Sequence, residues 1–165
     1  MPESTKKILA VASLGGHWMQ LLRICTELSH TYSIAYVTTN PDAASMLPTP
    51  SATLYAVTDF SRWDAWRLPG VLWRMCRIIR RERPAAVITT GAAPGLMAIV
   101  AARIMGVRTL WIDSIANAAT LSGSGAMARR LAHHTFTQWS RLADDATHVE
   151  YHGNCFGTEA PSSEL

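Results

Sequence analysis

Cysteine is scarce: Cys25, Cys76 and Cys155 are odd in number, lie far apart and form no C-x-x-C pair. This excludes a disulfide framework and the paired thiols of zinc or redox sites, and it fits a reduced, cytoplasmic compartment. No metal site is expected, because the adjacent His133 and His134 lack a third ligand at metal spacing and read as structural. Charge is sparse too, at 16% of residues with a formal net charge of +3. So weak a basic balance gives no ground for a nucleic-acid partner. Long apolar runs are missing as well. The run "ILAVASL" after Lys6-Lys7 is seven residues and stops at Gly-Gly-His-Trp, too short for a secretory signal. Between Ala85 and Val107 Arg103 is the only charge, but Thr89-Thr90-Gly91 and Pro94-Gly95 interrupt the stretch, so strand, turn and helix are expected rather than a transmembrane span. There is no internal repeat and no G-x-G-x-x-G. With no acidic residue closing the second strand either, a dinucleotide cofactor is not expected.

What remains is a chain of 165 residues, 48% of them hydrophobic, enough for one core and one domain. The domain is expected over 1–156, and the tail "GTEAPSSEL" (157–165) is expected to be disordered. Val- and Ile-rich runs at 8–13, 33–39, 53–58, 85–90 and 109–113, with a short one near 134–139, read as strands. Helical periodicity marks 18–29, where Trp18, Leu21, Leu22, Cys25 and Leu28 fall on one face. Further helices are expected over 64–82, with a break or first turn at Pro69, and over 95–105 and 124–133. Strands alternating with helices imply an α/β fold, a Rossmann-like parallel sheet with helices on both faces.

In such sheets ligands gather beyond the carboxyl ends of the strands. The residues there are Gly15, Gly16 and His17; Thr38, Thr39 and Asn40; Asp59; Thr90, Gly91, Ala92 and Ala93; and Asp113, Ser114 and Asn117. Glycines let a backbone approach a ligand, and the free N–H groups of a helix start favour an anion such as a phosphate. Equally, Gly15-Gly16 can simply shape a tight turn, His17 can be structural, and Asp113 can cap a following helix.

The stretches "SLGGHWMQLL", "YVTTNPDA", "VTDFSRWD", "RPAAVITTGAAPG", "GVRTLWIDSIANAATLSGSG" and "FTQWSRLA" together resemble bacterial exopolysaccharide-biosynthesis relatives of the membrane-anchoring subunit of the eukaryotic dolichol-linked N-acetylglucosaminyltransferase. The resemblance covers nearly the whole chain. It implies the N-terminal half of a split GT-B glycosyltransferase, similar in plan to the N-domain of the peptidoglycan lipid-intermediate N-acetylglucosaminyltransferase. By the same resemblance, a C-domain-like partner subunit binds the UDP-sugar co-substrate. This half binds the membrane surface and a polyprenyl-diphosphate-linked sugar acceptor. His17 is then the catalytic base or a pyrophosphate contact. Gly15 and Gly16 cradle an anion, and Gly91, Ala93 and Gly95 form a second close-approach loop. Asp113, Ser114 and Asn117 hydrogen-bond sugar hydroxyls, while Asp59 and Arg62 match a motif whose role stays open. Two alternatives are a non-catalytic chaperone of a catalytic partner and a self-sufficient small nucleotide-binding enzyme.

Eukaryotic members of that family carry an N-terminal anchor, and "MPESTKKILAV" does not resemble one. Residues 62–83 instead interleave arginines with Trp63, Trp66 and Trp73. A basic helix with aromatic residues suits an anionic lipid surface, so Trp66, Arg67, Trp73, Arg74, Arg77 and Arg81 are expected to touch membrane. A solvated face with core tryptophans is the alternative. A peripheral location on the inner face of the cell membrane is the corresponding expectation.

Overall fold

β-Branched and apolar residues from Lys7 to Val11 form the first strand, β1, and their alternation decides both faces of the sheet. Leu9 and Val11 point into one buried cluster, Ile8 and Ala10 into another. The computed structural model describes residues 6–49, 51–58 and 65–157. In chain order β1 is followed by α1 (Gly16–Leu28), β2 (Ser33–Thr38), β3 (Thr53–Ala56), α2 (Leu68–Glu82), β4 (Ala86–Thr89), α3 (Ala92–Ile104), β5 (Arg108–Ile112), α4 (Gly123–Ala128), β6 (His134–Thr137) and β7 (Val149–Tyr151). The strands form one seven-stranded sheet in the order β3-β2-β1-β4-β5-β6-β7, and each neighbouring pair is parallel.

Helices cover both faces. Trp18, Leu21, Leu22 and Cys25 of α1 pack on Ile8, Ala10 and Tyr36, and Trp18 meets Tyr36 edge-on with ring centroids 5.9 Å apart. On the other face Met75, Ile78 and Ile79 of α2 join Ala98, Ala101 and Ala102 of α3 over Leu9, Val11, Val37 and Val87. The small α3 residues let the two helices lie close on the sheet, and α4 then packs beside α3 through Leu96, Ile99, Trp111 and Ala128.

The elements differ from the sequence expectation in ways that have physical causes. α1 starts at Gly16 and α3 at Ala92, so the "GGH" and "TGAAPG" segments are helix N-termini rather than free loops. Pro69, by contrast, lies in the first turn of α2, one of the two placements expected for it, where its missing N–H costs nothing. α4 stops at Ala128 instead of running to 133, as befits a helix with glycines at positions 123 and 125. A 3-10 turn at Pro41–Met46 and the strand β7 were not anticipated. Asp59, Arg62 and residues 158–165 of the expected tail lie outside the described residues.

Candidate functional site

The first three strands step outward from β1 in one direction, and β4 then returns to the other flank of β1. The chain therefore changes direction between β1 and β4, the point where open parallel sheets present a crevice. The loops leaving these two strands carry Gly15-Gly16-His17 and Thr90-Gly91-Ala92-Ala93. Gly15 caps α1 at φ 109° and Gly91 caps α3 at φ 129°, a backbone region that favours glycine. Ala92 adds a second left-handed residue at φ 65°. Neither N-terminus is capped by a side chain, so first-turn N–H groups on both sides of the crevice are open to an anion.

The two loops are locked together through His17. Its Nδ1 lies 2.8 Å from the Thr90 carbonyl oxygen, and the Thr90 hydroxyl donates to the His17 carbonyl at 2.6 Å. A carbonyl can only accept, so Nδ1 carries the proton and a neutral ring keeps its lone pair on Nε2. The ring crowds Gly91: a Cβ there would fall 2.8 Å from Cε1 and 2.9 Å from Nδ1. Gly16 is different, with nothing within 4 Å of a built Cβ; it borders open space. Gly95 is buried in the first turn of α3, where a Cβ would collide with the Thr89 hydroxyl. Its smallness serves the approach of helix to strand rather than the approach of a ligand. Ala93, half-buried, stands in that same first turn.

Beyond β5 the segment 113–122 is an irregular loop built around Asp113, whose residue is 2% exposed. Its Oδ1 accepts from Ser122 Oγ at 2.6 Å and Trp111 Nε1 at 3.2 Å. Oδ2 accepts from Ser122 N at 2.8 Å and Asn117 Nδ2 at 3.2 Å. Gly125 makes room, since a Cβ there would lie 2.7 Å from Oδ1. These contacts make Asp113 a structural hub: its acceptor capacity closes the loop. Ser122, not Asp113, caps α4 by accepting from Gly125 N. Ser114 and Asn117 are half-buried on the loop, with Ser114 Oγ accepting from Ala116 N at 3.3 Å.

Four residues outside the sequence expectation hold this loop from beneath. Gln20 of α1 donates to the Asp113 carbonyl and accepts from Ile115 N, both at 3.3 Å. Gln138 donates to the same carbonyl at 2.9 Å and accepts from Cys155 N at 3.1 Å. Trp139 Nε1 donates to Ile115 O at 2.8 Å, and Arg141 donates twice to Ala118 O at 2.9 and 2.6 Å. The available signal was a glutamine set among the apolar positions of α1: a buried amide needs partners. Burial also raises the pKa of the Cys155 thiol, although the Gln138 hydrogen bond pulls the other way.

The expected membrane residues lie on α2 and on the turn Ala65–Arg67 that precedes it; all but the half-buried Arg67 are displayed outward. Trp66 and Trp73 are 75% and 61% exposed, with the Arg67 and Arg77 guanidinium groups over their rings at 4.8 and 4.6 Å. Arg74, Arg77 and Arg81 are exposed beside them. No described helix is long and apolar enough to cross a membrane, and no group of three metal-binding side chains occurs among the described residues.

A parallel sheet wound in this order, with its crevice between β1 and β4, is a Rossmann-like fold of the GT-B type. No protein-family model matches the chain. It is similar to the UDP-N-acetylglucosamine transferase subunit ALG14 of Mus musculus, 24% identical over 173 residues, covering 87% of this chain and 80% of that protein. The Homo sapiens subunit of the same name is 25% identical over 172 residues with the same coverage. Among solved structures, Acinetobacter baumannii MurG superposes with TM-score 0.74 at 15% identity, over 94% of this chain and 47% of MurG. The UDP-GlcNAc 2-epimerase of Methanocaldococcus jannaschii gives 0.70 at 13% identity, over 90% and 45%. The chain therefore spans about half the length of the solved structures it matches.

Proposed function

We propose that this protein is the acceptor-binding half of a two-part glycosyltransferase. It would act in exopolysaccharide or lipopolysaccharide synthesis, with a sugar, N-acetylglucosamine by preference, passing from a UDP-sugar to a polyprenyl-diphosphate-linked acceptor. The observation that carries this reading is the crevice between β1 and β4, where His17 is fixed between two uncapped helix N-termini. The low-identity likeness to a protein named as a transferase subunit supports the two-part plan. The donor-binding half is then a separate C-domain-like chain, and no resident cofactor or metal takes part.

In the transfer the acceptor oxygen bonds to the anomeric carbon as the bond from that carbon to the UDP oxygen breaks. The acceptor hydroxyl must lose its proton, here to the base, and the negative charge that the leaving UDP diphosphate gains must be stabilised. With Nδ1 tied to Thr90 O, the Nε2 of His17 is the basic atom, which favours the base assignment over a purely pyrophosphate contact. The N–H groups of Gly16 and of the α3 start would hold the acceptor diphosphate, with Gly15 and Gly91 shaping the approach. Ser114 and Asn117 would contact sugar hydroxyls from the 113–122 loop, which Asp113 holds in shape. Trp66, Arg67, Trp73, Arg74, Arg77 and Arg81 would rest on the cytoplasmic face of the membrane, bringing the crevice to a lipid-borne acceptor.

Purified alone and with its donor-binding partner, the chain would be assayed for transfer of labelled sugar to a polyprenyl-diphosphate sugar. Transfer is expected only from the pair. Robust transfer by the chain alone would overturn the two-part reading, and full activity of a His17→Ala pair would leave the chaperone role.

A further inference from the structure

A groove of about 500 Å3 lies between α2 and Tyr55 of β3, lined by Trp73, Arg74, Arg77, Ile78, Arg80 and Arg81. It sits away from the glycine crevice, and the chemistry of the crevice does not use it. Its four arginines are exposed, and none forms an ion pair within 4 Å among the described residues, although Arg81 acts on Glu82 through its charge. The acid nearest in sequence, Glu82, is occupied by Lys7 at 2.8 Å and by the Tyr55 hydroxyl. Helix-dipole complementarity accounts for Arg80 and Arg81 in the last turn of α2. It does not account for Arg77 and Arg74, one and two turns earlier. Arg77 is moreover held over the Trp73 ring at 4.6 Å, which fixes a planar fork of donors before any ligand arrives.

Clustered guanidinium forks match phosphate oxygens, and they outweigh the modest repulsion that a helix C-terminus exerts on an anion. The rim of the groove also carries an exposed apolar side chain, Trp73 at 61%, and the buried Ile78 is part of the lining. A free phosphate offers nothing to that rim, whereas a phospholipid offers a phosphodiester and the glycerol and acyl region beneath it. We propose that this groove is a headgroup site for one anionic phospholipid: Arg77 and Arg81 hold the phosphodiester, Arg74 and Arg80 flank it, and Trp73 enters the interface. The site rests on the peripheral-membrane part of the reading above and converts it from diffuse attraction to a discrete, saturable pocket.

The test compares wild type, R77Q/R81Q, R129Q/R130Q and W66A by flotation with phosphatidylcholine vesicles, plain or doped with phosphatidylglycerol. Thermal melts accompany each variant, and the substituted arginines of α2 are exposed, so folding is expected to persist. R77Q/R81Q should lose roughly tenfold or more in affinity for the doped vesicles, while R129Q/R130Q, which removes the same charge elsewhere, should change it less than about twofold. Nuclear magnetic resonance titration with short-chain phosphatidylglycerol below its micelle concentration should shift the Trp73 indole saturably, and inorganic phosphate should not match it. Equal losses in the two double variants, no saturable shift, or an equal effect of inorganic phosphate would each overturn the pocket. If R77Q/R81Q binds as wild type while W66A does not, the pocket falls and membrane docking stands. Wild type failing to bind doped vesicles would remove both.

Discussion

His17 is anchored at one ring nitrogen only, and the consequences can be read atom by atom. The Thr90 carbonyl fixes the Nδ1–H tautomer, leaving the lone pair on Nε2. His17→Ala should leave folding and partner binding intact and lower transfer by roughly a hundredfold or more, the range of a positioned acid-base group. His17→Gln keeps hydrogen bonding without a titratable atom: loss in both variants identifies the base, and activity largely retained in Gln alone identifies a binding contact. Gly91 tests the same geometry from behind. A methyl group there meets the imidazole at 2.8 Å on a backbone at φ 129°, so Gly91→Ala should displace the ring. Transfer by the reconstituted pair should fall at least tenfold, since misplacing a catalytic group by about 1 Å is that costly. A Gly91→Ala pair as active as wild type would show that the position of the ring is unimportant. The glycines and the histidine were legible in the sequence because they lie between a strand and a helix. Their mutual lock was not, because it joins residues 73 positions apart.

The loop 113–122 gains its order from other elements: α1 supplies Gln20, the end of β6 supplies Gln138, and the segment after it supplies Trp139 and Arg141. Gln138 is 2% exposed and serves two partners at once, so Gln138→Leu would leave the amide of Cys155 without its acceptor and the Asp113 carbonyl with one donor fewer. Each buried polar group left unpaired costs about 1–3 kcal/mol. Amide hydrogen exchange across the loop and Cys155 should accelerate in this variant while the central strands stay protected, and unchanged exchange would show that Gln138 does not hold the loop. At this scale the sequence revealed the strands well, since Val- and Ile-rich runs have few alternatives. It misplaced the starts of α1 and α3, because a glycine before a helix reads as loop until its cap geometry is seen. β7 escaped notice for a plainer reason: a strand of three residues, Val149–Tyr151, is too short to show a period.

Across the whole molecule the order of the sheet explains why candidate site residues could be named beforehand: a parallel sheet sends its loops of interest to one edge, and the residues just past each strand end make up that edge. Asp113 was found this way, but its burial and four hydrogen bonds depend on packing that no spacing encodes. Long-range ties of this kind also set stability. Glu82, at the end of α2, joins β1 through Lys7 and β3 through the Tyr55 hydroxyl, so one carboxylate links three elements across the sheet. Burial alone would raise its pKa, but the hydrogen bonds from Lys7 and Tyr55, with the charges of Lys7 and Arg81, outweigh burial and hold it below the usual value. A carboxylate depressed on folding contributes stability that is fully present above its unfolded pKa of about 4.3, and that is lost as pH falls through the folded value. Lys7 is 38% exposed and the Tyr55 contact is part-buried, so solvent screens both shares. Glu82→Gln should therefore be less stable than wild type by about 1–3 kcal/mol at neutral pH. Urea unfolding at falling pH should show that gap narrowing below about pH 4, as wild type loses the carboxylate the variant never had. A gap that stays constant with pH would mean that the charge of Glu82 contributes nothing and that the side chain acts only through its shape.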